Sequence, residues 1–156
     1  MESEISKNIL KSNTSIVGIV CKDGIVMAGD RRATAGTLIA SKKERKVKQI
    51  NDYLLISWTG VVSDAQLSAK IIAAELKLKE LRTRSRPTIK EAANLIGITM
   101  YRNIRTPSMV PHIVGLLVSG FDEDGKTHLY TIEPSGSVLE VEDYDANFSS
   151  GMPYIL

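Results

Sequence analysis

Ser15-Ile16-Val17-Gly18-Ile19-Val20-Cys21, then Lys22-Asp23-Gly24, then Ile25-Val26-Met27-Ala28-Gly29: the fold is decided in this stretch. Two apolar, β-rich runs flank an Asp-Gly pair, the strongest short-range hairpin signal. With the turn centred on Asp23-Gly24, Asp30 falls opposite about Val17 and Ala33 opposite about Thr14. At about 3.3 Å per residue, Asp30 then lies roughly 10 Å along the strand from Thr14. Both runs are nearly continuous in apolar residues, the pattern of strands covered on both faces.

Upstream, Met1 to Asn13 is polar and mixed in charge, with Ile5, Ile9 and Leu10 as its apolar residues beyond the initiator. It reads as a short leader, 1–13, ahead of one domain, 14–156. It has no apolar core of the kind a secretory signal needs. Downstream, Leu38–Ala40 and Val47–Ile50 are short strand candidates. Asn51-Asp52 turns the chain into an apolar strand over Tyr53–Trp58, which Gly60 ends. Ser63 or Asp64 is placed to cap a helix running to about Leu81, with Ala65, Ala69, Ile72 and Leu76 on one face. Pro87 breaks the chain. Thr88-Ile89-Lys90-Glu91 is a capping box opening a second helix, whose Ile89, Ala92, Ala93, Ile96, Met100 and Ile104 keep helical spacing. Pro107 and Pro111 bracket a loop. Strands follow over Ile113–Phe121, His128–Ile132 and Val138–Val141, with turns at Asp122–Gly125 and Ser135-Gly136. Strands, two adjacent helices, then more strands make an α+β pattern rather than alternating βαβ units.

Composition narrows the function. The 156 residues suit one domain, and 20 basic against 18 acidic residues leave a formal charge of +2. That balance gives no electrostatic basis for binding nucleic acid or an anionic membrane. Arg82 to Arg86, the one dense basic stretch, reads as a solvated loop between helices. No run of about 18 apolar residues exists to span a membrane. The single cysteine, Cys21, excludes an internal disulfide, reads as a small core residue, and agrees with a reducing compartment. One cysteine with two histidines, His112 and His128, makes no metal site. Asn13-Thr14-Ser15 and Asn147-Phe148-Ser149 match a glycosylation pattern that has no meaning without secretion.

An ordered set of short stretches resembles one family. It comprises Thr14-Ser15-Ile16-Val17-Gly18-Ile19, Lys22-Asp23-Gly24, Ala28-Gly29-Asp30-Arg31-Arg32-Ala33-Thr34, Ser41-Lys42-Lys43 leading to Lys46-Val47, and Thr59-Gly60 followed by Asp64-Ala65-Gln66. Later come Ala92-Ala93-Asn94-Leu95 and Ser150-Gly151 with Pro153. The pattern is similar to that of proteasome β-type subunits of the archaeal kind, and it covers essentially everything after Asn13.

The resemblance implies an N-terminal nucleophile hydrolase: a four-layer αββα sandwich of two antiparallel sheets between helices. It implies that Thr14, freed by removal of the leader, is the nucleophile of a threonine-type endopeptidase. Asp30 and Lys46 match the charged residues of that site, and Ser150 a serine near the nucleophile. Gly60 matches the oxyanion-hole glycine, and Thr34 the residue whose backbone holds an extended substrate. Trp58 lies two residues before Gly60 and either lines the specificity pocket or fills the core. No metal or other cofactor is implied. The implied partners are α-subunits and other β-subunits in stacked seven-membered rings, unfolded polypeptide as substrate, and an ATP-dependent unfoldase, all in the cytoplasm.

The chemistry agrees with the residue types. A threonine hydroxyl needs a base, and a terminal threonine carries one in its α-amine, with a reference pKa of about 7.7–8.0. A neighbouring ammonium, Lys46, lowers the pKa of the nucleophilic system, and Asp30 offsets its charge. The sequence departs from the family at Asn13, normally glycine, at Trp58 and Ser63, normally smaller, and at Leu156, where family members continue. A non-catalytic, structural β-subunit is the other function class these departures leave.

Overall fold

The structure, a computed structural model, describes residues 14–35, 38–109, 112–147 and 149–155; the expected leader and Pro111 lie outside them. Strands β1 (Ile16–Cys21) and β2 (Gly24–Gly29) form the expected hairpin. Its register differs from expectation. Cys21 pairs with Gly24 and Ile16 with Gly29, so the two-residue turn is Lys22-Asp23 and Gly24 already belongs to β2. Asp30 therefore comes opposite Ser15, whose carbonyl accepts its N–H at 2.9 Å. A shift of two residues preserves which face each side chain takes, because strands alternate with period two. It moves Asp30 next to Thr14 along the sheet.

Two further hairpin-like pairs follow: β3 (Ala33–Ala35) with β4 (Leu38–Ser41), and β5 (Val47–Asn51) with β6 (Leu54–Gly60). Helices α1 (Val62–Thr83) and α2 (Ile89–Arg105) come next. Strands β7 (Val114–Phe121), β8 (Thr127–Ile132), β9 (Val138–Glu140) and β10 (Tyr144–Asp145) lead to a short helix, α3 (Met152–Ile155). Every strand pair is antiparallel. One sheet has five strands in the order β5-β6-β7-β8-β9, and a second has three in the order β10-β1-β2. This is the α+β arrangement of the N-terminal nucleophile sandwich.

The main core lies between the five-stranded sheet and the two helices. Leu54, Ile56 and Trp58 of β6 meet Ala65, Ala69, Ile72 and Leu76 of α1 and Ile89, Ala92, Ala93, Ile96 and Met100 of α2. A smaller core of Ile16, Leu117 and Leu129, flanked by Val20, Ile25 and Met27, fills the space between the sheets. The helix faces follow the expected spacing. The α2 capping box forms: the Thr88 hydroxyl accepts from the Glu91 N–H, and the Glu91 carboxylate accepts from the Thr88 N–H. The α1 cap does not. Neither Ser63 nor Asp64 caps it; Val61 occupies that position without a side-chain hydrogen bond. Packing under the sheet sets where α1 starts, and the polar residues fall inside its first turn.

Three other readings change. The outer face of the β1–β2 hairpin is open among the described residues, with Ile19 41% and Val26 55% exposed, so the hairpin is covered on one face. Cys21 lies on that open face and is exposed, not core. Arg86 is not a solvated loop residue: its guanidinium stacks over Tyr53, 3.9 Å from the ring centroid, and donates to the Phe121 carbonyl. Among the described residues, no helix is long and apolar enough to cross a membrane.

Trp58 belongs to the core. It is 3% exposed, and alternation along β6 puts it with Leu54 and Ile56 on the helix-facing side. Ser57 pairs with Leu117 and shares the opposite, inter-sheet side. The pocket role considered for Trp58 does not fit a side chain on the helix side of the sheet. Trp58→Ala is expected to destabilise the protein by about 3–5 kcal/mol, the usual cost of an aromatic-sized cavity. Urea unfolding followed by far-UV circular dichroism checks this; a loss under about 1 kcal/mol would contradict full burial in a close-packed core.

Candidate active site

Thr14 stands two residues before β1 and is 5% exposed. Asp30 follows β2, so the hairpin alone brings the two within one residue of each other across the sheet. Lys46 arrives from the other sheet. It precedes β5, and its carbonyl accepts from the Trp58 N–H at 3.3 Å. The loop carrying it is tied down upstream, where the Glu44 N–H donates to the Arg31 carbonyl at 3.0 Å. At Gly29, an added Cβ would lie only 3.3 Å from the Lys46 Cβ, so the bare backbone leaves the lysine stem its path.

The three side chains meet. The Lys46 ammonium, 3% exposed, donates to Thr14 Oγ1 at 3.1 Å and to both Asp30 oxygens at 2.8 and 3.0 Å. A lysine so deeply buried requires a counter-charge, because an isolated buried ammonium is costly to desolvate. Asp30 supplies it and is itself held. Its Oδ1 accepts from the Ser15 N–H at 2.8 Å and its Oδ2 from the Arg32 N–H at 2.9 Å. The carboxylate is thus fixed by one amide from across the hairpin and one from two residues further along the chain. The charge order is Asp30, Lys46, Thr14 hydroxyl.

Burial pushes the Asp30 carboxyl upward, but the Lys46 hydrogen bond, the two amides and the Lys46 charge outweigh it. The net position is below the usual 3.8. The sign of the linkage follows. A carboxyl depressed in the folded state adds stability that is complete above its unfolded value and is lost as pH falls through the lower folded value. Asp30→Asn is therefore expected to be less stable than the parent at pH 7, with the gap closing below about pH 4. Urea midpoints at pH 7 and pH 3 test this; a gap unchanged at pH 3 would mean the carboxylate charge is not what Asn lacks. Asp30 is 31% exposed, so the effect is reduced by solvent screening.

Gly60 closes β6 with φ +114°, and an added Cβ would fall 2.4 Å from the Ile113 carbonyl oxygen. Only glycine suits both the conformation and the space. Thr34 is half-buried in β3, two residues beyond Arg32, whose N–H grips Asp30. Ser150 is exposed in a tight turn between Ser149, which is buried, and Gly151. That turn abuts the Thr14 backbone: the Gly151 N–H donates to the Thr14 carbonyl at 3.4 Å. The structure thus brings Thr14, Asp30 and Lys46 into direct contact and sets the Ser150 turn beside them. It places Trp58 elsewhere.

Three residues that touch the site were not legible as such. Ser15 and Arg32 act through backbone N–H groups, which side-chain chemistry does not advertise. Gly151 acts by what it lacks. Correct hairpin register would have found Ser15. Both histidines are engaged elsewhere: His112 Nε2 lies 2.9 Å from Ser68 Oγ, and His128 Nδ1 2.7 Å from Glu140. Among the described residues no cluster of three metal-ligating side chains occurs.

The chain matches the family described as Proteasome subunit over residues 10–154. It is 40% identical over 152 residues to the Proteasome subunit beta of Archaeoglobus fulgidus, covering 96% of this chain and 68% of that one. The Proteasome subunit beta of Archaeoglobus profundus is 39% identical over 153 residues, covering 98% and 68%. That of Methanopyrus kandleri is 39% identical over 144 residues, covering 92% and 66%. The chain spans about two thirds of the length of these relatives. With the Thr14–Lys46–Asp30 contact on an antiparallel sandwich, these likenesses agree, and the chain belongs to the proteasome subunit family, among its β subunits.

Proposed function

We propose that the chain is a catalytic β-subunit of a proteasome core particle, a threonine-type endopeptidase made as a zymogen with residues 1–13 as its leader and 14–156 as its peptidase domain. The observation that carries this is the Lys46 ammonium set 3.1 Å from the Thr14 hydroxyl and neutralised by Asp30. A β-subunit that only built a ring would have no use for a buried lysine aimed at that hydroxyl.

The reaction begins when cleavage of the Asn13–Thr14 bond frees the Thr14 α-amine. That amine takes the Oγ1 proton, directly or through a water, as Oγ1 attacks the substrate carbonyl. The nearby Lys46 charge stabilises the alkoxide that develops, and Asp30 holds the lysine in direction. The Gly60 N–H is assigned to the oxyanion of the tetrahedral intermediate, a role worth roughly 2.7–4 kcal/mol. The intermediate collapses, the scissile C–N bond breaks, and the leaving amine takes the proton. Water then attacks the Thr14 ester, and its proton goes to Thr14 Oγ1 as the acid product departs. The Thr34 backbone is assigned to the extended substrate, and Ser150 to polar support beside the α-amine.

The partners proposed are α-subunits and other β-subunits in stacked seven-membered rings, unfolded polypeptide as substrate, and an ATP-dependent unfoldase, in the cytoplasm; family membership supports assembly with other proteasome subunits. A second reading, a structural β-subunit without activity, draws on Asn13, whose side chain restricts the backbone at the bond to be cut. Intact-mass spectrometry of assembled particles separates the two. The expected mature chain begins at Thr14, and Asn13→Gly is expected to reach that form faster. Full retention of Met1 in assembled particles would select the structural reading.

A further inference from the structure

We propose that Asn147 is a positioning residue for the Thr14 site: it pins the segment that buttresses the nucleophile to the sheet that delivers Lys46. The inference rests on the catalytic reading above.

The segment from β10 to α3 touches both sheets. At one end, Asp145 pairs with Gly18 and Tyr144 with Ile19, so β10 belongs to the sheet of the nucleophile. At the other end, the Gly151 N–H donates to the Thr14 carbonyl. An added Cβ at Gly151 would lie 2.2 Å from Ser15 Oγ, so this turn rests on the side chain of Ser15, the residue next to Thr14. Asn147 lies between these two contacts and reaches the opposite way. Its carboxamide Nδ2 lies 2.9 Å from the Leu116 carbonyl, 2.7 Å from Thr131 Oγ1 and 3.1 Å from the Ile132 carbonyl. Those acceptors belong to β7 and β8 of the five-stranded sheet.

The arrangement is built for this side chain. Asn147 is 1% exposed and has φ 44°, a left-handed conformation that Asn tolerates better than most residues. Its Oδ1 occupies the space over Gly115, where an added Cβ would come within 2.2 Å of it. Gly115 pairs with Thr59, the residue before Gly60. One amide therefore bears on the strand leading to Gly60 and on the turn against Thr14.

Thr14 and Lys46 come from different sheets, so their 3.1 Å separation depends on how the sheets sit against each other at this end. Asn147 is a polar tie across that junction. A misplacement of about 1 Å in a reacting group costs about 100-fold in rate. Removing the carboxamide is expected to lower kcat by about that factor and leave KM unchanged, since Thr34 and the binding edge are untouched.

The experiment uses assembled, processed particles of the parent, Asn147→Gly and Thr131→Val. Glycine keeps the left-handed backbone and removes the carboxamide. Valine keeps the shape of Thr131 and removes one acceptor, a milder change should the glycine variant not assemble. Peptide hydrolysis gives kcat and KM, and hydrogen exchange is read at residues 15–18 and in α1. The expected result is lower kcat at constant KM, with faster exchange at 15–18 and unchanged exchange in α1, the valine variant showing the smaller effect. Parent-like kcat and exchange in the assembled variants would overturn the inference, as would a change confined to KM. A parent particle that is fully processed yet inactive would sink the catalytic reading instead. The exchange comparison then decides the pinning by itself.

Discussion

Assembled particles carrying Thr14→Ala are expected to hydrolyse fluorogenic peptides at the background rate, with fold and assembly intact. The loss is expected to be on the order of 10⁴-fold or more, because removal of a nucleophile leaves only binding and oxyanion stabilisation. Deleting this side chain removes the acceptor of one Lys46 hydrogen bond and leaves the two bonds to Asp30 in place. Lys46 therefore stays paired, and no uncompensated charge is buried. Stability is accordingly expected to change by less than about 2 kcal/mol, within the range of ordinary substitutions. Thr14→Ser restores a hydroxyl beside the α-amine and is expected to recover hydrolysis. Full activity in Thr14→Ala particles, measured after Edman or mass confirmation of the mature terminus, would remove Thr14 from the mechanism.

Lys46→Met is expected to lower kcat by about 10²- to 10⁴-fold, the usual contribution of a group that manages proton transfer. Methionine keeps much of the buried stem and removes the ammonium. Asp30 then loses its partner, but it is partly open to solvent and retains the Ser15 and Arg32 amides, so folding is expected to survive. Lys46→Arg is not expected to rescue activity. A planar guanidinium cannot occupy the place of a compact ammonium that contacts Thr14 and both Asp30 oxygens at once. The losses from Lys46→Met and Asp30→Asn are expected to be strongly non-additive, since both act on one hydroxyl. Additive losses in the double variant would show that the two residues serve separate steps.

How much of this was legible in the sequence differs from element to element. The second helix was readable to its cap, because Thr88 and Glu91 advertise the box and the apolar face keeps its period. The first helix was readable in its face but not its start. Val61 carries no capping group, and tertiary packing overrode the local signal from Ser63 and Asp64. The hairpin was readable, but its register was not: Asp23-Gly24 marks a turn without saying which two residues occupy it. The two-residue difference in register is what brings Asp30 next to Thr14. Apolar runs say what a strand is able to bury; among the described residues Ile19, Cys21 and Val26 lie exposed. The Thr14, Asp30 and Lys46 set was named through the family pattern, since no spacing rule links residues 14, 30 and 46. Trp58 was ambiguous because alternation along β6 fixes its face only once the helices are known to cover that side. Asn147 read only as a glycosylation match and Gly151 only as part of the family pattern, because neither residue type announces a packing role.

Lys46 reaches a hydroxyl that lies 32 positions earlier in the chain and on another sheet. Contacts of that span form late in folding, after the local hairpins have paid their loop entropy. Until the sheets dock, the threonine has no ammonium beside it and is an ordinary alcohol. On the catalytic reading, a nascent or partly folded chain is thereby a harmless one. On that same reading, the ion pair that equips the site for chemistry also delays it, tying the onset of proteolysis to completion of the subunit's own tertiary structure.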